Sequence, residues 1–407
     1  MIFIVKRKFS QSARCSFGKN HRDSKTIADA CTVVYLFSLL DVRALNVYKL
    51  VNRGAAMVSQ GPQDPFDRRA FLQAAGVLTL GLGAAALLGS EEAEAEGKLN
   101  RRAKPWRGLF PIGQTPFTPD DKLDFDCLAA EVGFCNRGGI PGLLWPQGSS
   151  GWTTLSEKER LDGAEAMLAA GKGGKTALII GVQPLDGEVN TAIRYARHAA
   201  KHGADGLVSL PPGIDNGRPG IKLTPQEHLD YYKALGAATD LPLMVQSHGD
   251  MSVDLIVTLY EQVPTLKGVK DETGDTLTRL PEFRRRTNNE FVVMDANGAI
   301  QMLDGMRLGF DGYVPKTGLA DLSQMVFDLW SAGKNKEAFN MFGRIQAFQT
   351  IRGAMQYILT ARGVFKETTT IRDAHRIFGA NGVTPDEAQR KVIREELTQF
   401  LGPYLRA

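Results

Sequence analysis

Cysteine is scarce in this chain, with four in 407 residues, at positions 15, 31, 127 and 135. That is too few for a disulfide-stapled domain, and no Cys-x-x-Cys pair is present to hold a zinc ion. Long apolar runs are missing too. The longest, 74–89, spans about 16 residues and is mostly Gly, Ala and Leu, short of the roughly 20 needed for a stable membrane span. An excess of one charge is lacking where it would count. The net charge is +4, but residues 1–95 hold 12 Lys/Arg against 8 Asp/Glu, whereas residues 96–407 hold 37 of each. The body therefore offers no basic surplus to a nucleic-acid backbone, and no nucleic-acid partner is expected. What remains is 43% apolar residues, 8% aromatics and 43 glycines, the composition of a folded globular protein.

The first 95 residues read as a delivery segment. Arg68-Arg69-Ala70-Phe71-Leu72 precedes the apolar run 74–89, and a polar Ser90-Glu91-Glu92 leads to Ala93-Glu94-Ala95. A charged region, a short hydrophobic region and a small-x-small site follow one another as in an export signal. The paired arginines resemble the twin-arginine type, which carries folded proteins. The chain thus divides into a doubtful extension 1–56, a signal 57–95 starting at Met57, a barrel 96–332 and a helical extension 333–407. Export to the periplasm, with no membrane anchor after cleavage, is the expectation. Cys127 and Cys135 fall on one predicted helix, about 12 Å apart along its axis, too far to pair.

From Trp106 onward, short apolar runs alternate with amphipathic stretches. The runs are 108–117, 140–148, 176–183, 205–212, 241–248, 266–272, 291–297 and 310–317, and each is β-branched or Leu-rich like a strand buried on both faces. Helical patterns lie between them at 124–136, 156–170, 188–202, 224–238, 252–261, 277–286, 299–308 and 322–332. Eight strand–helix repeats predict an α/β fold of the (β/α)8 TIM-barrel type, with a doubly wound open sheet as the rival. Three further helices are predicted near 336–350, 353–361 and 385–400.

Barrel active sites lie at the C-terminal ends of the strands. Lys270 ends Leu266-Lys267-Gly268-Val269-Lys270, with parity opposite to Lys267. Facing inward, its amine would be desolvated and held neutral, as a Schiff-base nucleophile requires; the alternative is a salt-bridged loop lysine. Gly148-Ser149-Ser150-Gly151 follows the second strand and offers two hydroxyls and freed N–H groups to a carboxylate, or simply makes a turn. Gly174-Lys175-Thr176 ends like a phosphate loop, yet position 169 is Ala and a strand follows, so no nucleotide site is expected. His198 and His202 have zinc-helix spacing without the glutamate or an evident third ligand, and no metal or other cofactor is expected.

Together these segments resemble the dihydrodipicolinate synthase/N-acetylneuraminate lyase family. Gly148-Ser149-Ser150-Gly151 with Leu155 and Glu159-Arg160 is similar to its Gly-Thr-Thr-Gly…Leu…Glu-Arg signature. Gly268-Val269-Lys270-Asp271-Glu272-Thr273-Gly274-Asp275 resembles its Schiff-base lysine segment, Thr115-Pro116-Phe117 its Thr-Pro-Phe, and Gly203-Ala204-Asp205-Gly206 its approach to strand four. The resemblance runs from about Leu109 to Leu401. It implies a 2-oxo acid such as pyruvate, with its carboxylate on Ser149 and Ser150 and its ketone attacked by Lys270, and a homo-oligomer, dimer or tetramer.

The departures are as informative. Gln246 stands where the family has a strand-five tyrosine that relays protons, and an amide does not exchange protons near neutral pH. Met251 replaces an arginine of the lysine-biosynthetic members, Gly213-Ile214 replace an aromatic pair, and Trp152 replaces an acidic residue. His248 shares the parity of Gln246 and is a candidate for the missing proton transfer, or a loop histidine bonded to backbone. Glu272 shares the parity of Lys270, where it tunes the amine, caps a helix or faces solvent. Trp152 and Tyr313 are candidate pocket walls, against plain packing. The expected activity is a Schiff-base aldolase, lyase or dehydratase on a sugar-acid-like substrate, outside lysine biosynthesis; the alternative is a barrel that only binds a keto acid or carbohydrate.

Overall fold

The computed structural model describes residues 106–406 apart from 213–222, 250, 298–299 and 380–381. The leader and Gly213-Ile214 lie outside the described residues. Eight parallel strands run β1 (Gly108–Leu109), β2 (Gly142–Trp145), β3 (Ala177–Gly181), β4 (Gly206–Ser209), β5 (Leu243–Ser247), β6 (Leu266–Asp271), β7 (Val292–Asp295) and β8 (Gly312–Tyr313). They pair in sequence order from β2 to β8, and β8 pairs with β1. The bridge Ile112↔Leu144 and the bonds Gly113 N–H to Leu144 O and Leu144 N–H to Pro111 O join β1's extension to β2. The fold is a (β/α)8 barrel, and the open sheet is excluded.

The helices that follow the strands are α1 (Phe125–Gly138), α2 (Glu157–Ala170), α3 (Val189–Lys201), α4 (Pro225–Gly236), α5 (Val253–Gln262), α6 (Thr276–Arg286), α7 (Met302–Leu308) and α8 (Ala320–Ser331). Their starts are set by local chemistry. Asp124, Ser156, Thr224, Ser252 and Asp275 each turn a side-chain oxygen back to a first-turn N–H. Ser156 with Glu159 and Thr224 with Glu227 form reciprocal capping boxes. Four more helices follow: α9 (Asn335–Gln349), α10 (Ala354–Ala361), α11 (Ala374–Phe378) and α12 (Glu387–Glu396). The short α11 is absent from the sequence reading.

The first strand is much shorter than the apolar run 108–117 suggests. Pro111 and Pro116 have no N–H to give a ladder, so pairing beyond Leu109 reduces to single bridges at Ile112 and Phe117.

Alternation along the strands separates two apolar layers. Leu144, Ile179, Val208, Met244, Met294 and Val314 point inward and pack with Phe110 and Ile112 into one cluster that fills the barrel. Their neighbours Leu143, Leu178, Leu207, Val245, Val269 and Val293 point outward and pack under the helices. The inner cluster forms an apolar plug beneath the strand ends. Gly142 makes room for it: a Cβ there would lie 2.1 Å from the Phe110 ring.

The helices beyond the barrel are tied to it by charge as well as packing. Asp321 of α8 accepts two bonds of 2.7 Å from Arg362, just past α10, and one of 3.1 Å from the Arg406 N–H. The pair is essentially shut off from water. Cys127 and Cys135 are both buried free thiols.

Candidate active site

Lys270 and Gln246 come from adjacent strands in register, and both are fully buried. Parity puts them on the inner face, directly above the plug formed by Met244 and its neighbours. The Lys270 amine donates to Glu272 Oε1 at 2.6 Å and to Gln147 Oε1 at 3.2 Å. Gln147 Nε2 in turn donates to Gln183 Oε1 at 3.0 Å, and Gln183 Nε2 to the Pro146 carbonyl at 2.9 Å. A chain of amides therefore fixes one side of the amine. On the other side Glu272 also accepts from Gln246 Nε2. One carboxylate thus bridges the lysine and the residue standing where a tyrosine was expected.

Two influences oppose each other at Lys270. Burial pushes its ammonium down from the ordinary value of 10.5, and the charge and hydrogen bond of Glu272 push it back up. Burial wins. The amine is fixed by two acceptors, Glu272 and Gln147.

The Gly148–Ser150 turn lies between β2 and α2, and its serines differ. The Ser150 hydroxyl donates to the Gln147 carbonyl at 2.7 Å and accepts from the Gln147 N–H at 2.8 Å, so it is spent on the turn. Ser149 is half-buried, with no side-chain hydrogen bond to described residues. Gly151 follows with φ 77°, a left-handed conformation that favours glycine.

The other expected residues scatter. His248 follows β5, half-buried; its carbonyl accepts the Met251 N–H, and its ring bonds no described residue. Trp152 is buried against Arg160, whose guanidinium lies 5.5 Å from its ring and 4.4 Å from that of Tyr195 while bonding the Gly181 carbonyl. Tyr313 faces away from the lumen. It packs in the outer layer and its hydroxyl donates to the Met302 carbonyl of α7 at 2.8 Å. On strand eight the inward parity of Val314 passes to Lys316, two residues on.

Gln147, Gln183 and Lys316 were not among the residues read from sequence. The same parity that pointed to Lys270 points to Lys316. Away from the lumen, Glu165 of α2 brings a carboxylate to His198 of α3 and His202 just past its end, with donor atoms within 4.8 Å of one another. It is the third donor that the sequence did not reveal, and the rings of the two histidines lie 4.4 Å apart, tilted by 33°.

A (β/α)8 barrel with a desolvated lysine ending its sixth strand defines the class of lysine-bearing barrels suited to imine chemistry. Comparison narrows the class. The chain belongs to the dihydrodipicolinate synthetase family, whose model matches residues 105–367. It is 28% identical over 205 residues to the 4-hydroxy-tetrahydrodipicolinate synthase of Methanosarcina mazei, covering 48% of this chain and 65% of that one. The N-acetylneuraminate lyase of Rhizobium meliloti is 28% identical over 240 residues, covering 57% of this chain and 75% of the relative. The match to the Methanosarcina enzyme thus spans just under two thirds of its length. Among solved structures, dihydrodipicolinate synthase from Rhodopseudomonas palustris superposes with a TM-score of 0.60 at 20% identity, over 72% of this chain and 97% of that one, which shows the shared fold.

Proposed function

We propose that this chain is a Schiff-base lyase or aldolase acting on a 2-oxo acid such as pyruvate or a sugar-acid derivative, outside lysine biosynthesis. The observation that carries the reading is Lys270, a fully buried amine whose burial outweighs its carboxylate partner. Family membership supports the same chemistry.

The neutral Nζ adds its lone pair to the C2 ketone, and the former carbonyl oxygen gains protons and leaves as water. The resulting protonated imine draws electrons from C3, so a C3 proton can depart and leave an enamine. The enamine carbon then bonds to an aldehyde carbon, or the reverse sequence cleaves that bond. Glu272, 2.6 Å from Nζ, is the group placed to move these protons. Gln246 holds Glu272 in position and orients a substrate hydroxyl or water. Ser149 with the neighbouring N–H groups takes the substrate carboxylate. His248 at the rim is a reserve acid or base.

Gln246 in place of a tyrosine supports a second reading, a barrel that binds keto acids without turnover. Incubation with pyruvate and borohydride followed by intact mass tests the first step. The expected result is a reduced pyruvyl adduct that disappears in Lys270→Ala. No adduct with pyruvate or a larger 2-oxo acid would defeat the imine reading, and an adduct with no proton exchange or bond cleavage would favour the binder. The Arg68-Arg69 leader supports export to the periplasm, and the two free thiols suit folding before transport. A homo-oligomer, dimer or tetramer, belongs to the same proposal.

A further inference from the structure

A cavity of about 210 Å³ opens beside the strand ends, lined by Pro315, Lys316, Leu319, Ser323, Met355 and Phe378 among others. Its walls come from β8's continuation, from α8, the end of α9, α10 and α11, and from Ile300 before α7. Among the described residues that line it, Lys316 alone carries a charge. The Lys316 amine sits 5.5 Å from the centre of the Phe378 ring, and no described residue gives it an ion pair or a hydrogen bond. Burial pulls its proton affinity down, and the one carboxylate that acts against this is Glu272, the partner of Lys270.

A half-buried ammonium with no ion pair to a described residue is costly, and a ligand anion lowers the cost. Its position rests on the strand: Lys316 follows the inward Val314 by one two-residue step and is bridged by Ile112, which puts it at the same strand-end mouth of the barrel as the imine-forming nitrogen. The cavity holds roughly seven waters' worth of volume, enough for a short carbon tail. Leu319, Met355 and Phe378 suit its methylenes, and Ser323 adds a hydroxyl beside the amine. A single ammonium matches a carboxylate better than a phosphate, which carries up to two charges and is most often met by several donors or an arginine fork.

We propose that Lys316 selects substrates with a second, distal carboxylate, making the substrate a dicarboxylic 2-oxo acid whose ketone reaches Lys270 while its far end sits in the cavity beside α8, α10 and α11. The inference rests on the imine reading of Lys270. Borohydride trapping on the full chain tests it, comparing the half-saturating concentrations of 2-oxoadipate and of 2-oxohexanoate, which has the same carbon chain without the second carboxylate. Pyruvate serves as the control for the imine step.

The wild type should prefer 2-oxoadipate by about ten- to a hundredfold, the value of one charge-assisted bond. Lys316→Met, which keeps length and apolar fit, should bring the ratio close to one, and Lys316→Arg should retain most of it. A pyruvate adduct with no preference between the longer acids in the wild type overturns this inference alone. So does a preference that survives in a folded Lys316→Met. No adduct with any of the three acids overturns the imine reading and this inference with it.

Discussion

Replacing Glu272 with glutamine should move two observables in opposite directions. The amide keeps the size of the carboxylate, and its oxygen can still accept from Lys270 or Gln246, the two donors that Glu272 now serves. It loses the charge and the ability to exchange a proton. At Lys270 the charge of Glu272 is what raises the amine's proton affinity against burial, so its removal leaves burial unopposed. The amine is then neutral over a wider range, and borohydride trapping of pyruvate should persist to lower pH than in the wild type. Proton transfer should suffer instead. A positioned acid–base group is worth about 10²–10⁴ in rate, or roughly 2.7–5.4 kcal/mol at 1.36 kcal/mol per tenfold. The assay needs no knowledge of the second substrate. Pyruvate in D2O loses its methyl proton signal each time imine converts to enamine, and proton NMR follows the loss. Glu272→Gln should exchange at least a hundredfold more slowly while still forming the adduct. Exchange within about threefold of the wild type would remove Glu272 from the mechanism. Loss of the adduct together with exchange would make its role structural.

The remaining predictions concern stability. Glu131 is fully buried in α1, and burial raises its carboxyl from 4.5 to about 8. Because the folded value lies above the unfolded one, its contribution is complete below about pH 4.5 and is lost as pH rises toward 8. Glu131→Gln should therefore leave the melting temperature nearly unchanged at pH 4 and raise it at pH 8. At pH 7 the gain is of the order of 3 kcal/mol; an equal shift at both pH values would contradict the assignment. Asp321→Ala strands the buried Arg362 guanidinium and should cost about 3–5 kcal/mol in urea unfolding, whereas a loss below 1 kcal/mol would mean water reaches the pair. At Gly181 a Cβ would lie 1.8 Å from the Pro146 carbonyl oxygen. Gly181→Ala should destabilise by about 1–3 kcal/mol and, by shifting that carbonyl away from Gln183, weaken pyruvate trapping as well. Unchanged trapping in the folded variant would show that the amide chain does not hold Lys270.

Much of the architecture was legible because its causes are local. Strands buried on both faces leave continuous apolar runs, and Ser156 or Thr224 marks a helix start within a turn of its own position. The prolines at 111 and 116 could have shortened the first strand on the same grounds. The site was legible only in part. Lys270 lies on the regular stretch of β6 from Gly268 to Asp271, past the register shift at its start, so counting by two from Gly268 gives its direction. Gln147 and Gln183 lie past the ends of β2 and β3, where alternation stops and loop path decides the aim. Lys316 had the right parity and was passed over for the aromatic Tyr313, whose own parity puts it under α7. Glu165 meets His198 and His202 from a different helix, a proximity that spacing along the chain does not encode.

The apolar plug under Lys270 has a consequence for stereochemistry. Met244, Met294 and Val208 pack into the apolar cluster that fills the lumen, so the open approach to Lys270 is from the rim. Any reagent that meets the imine descends from the rim, and an imine held with one face toward the rim is met on that face each time. Borohydride should thus deliver hydride to one prochiral face and leave a single diastereomer of the secondary amine. The apolar barrel floor would then decide its handedness.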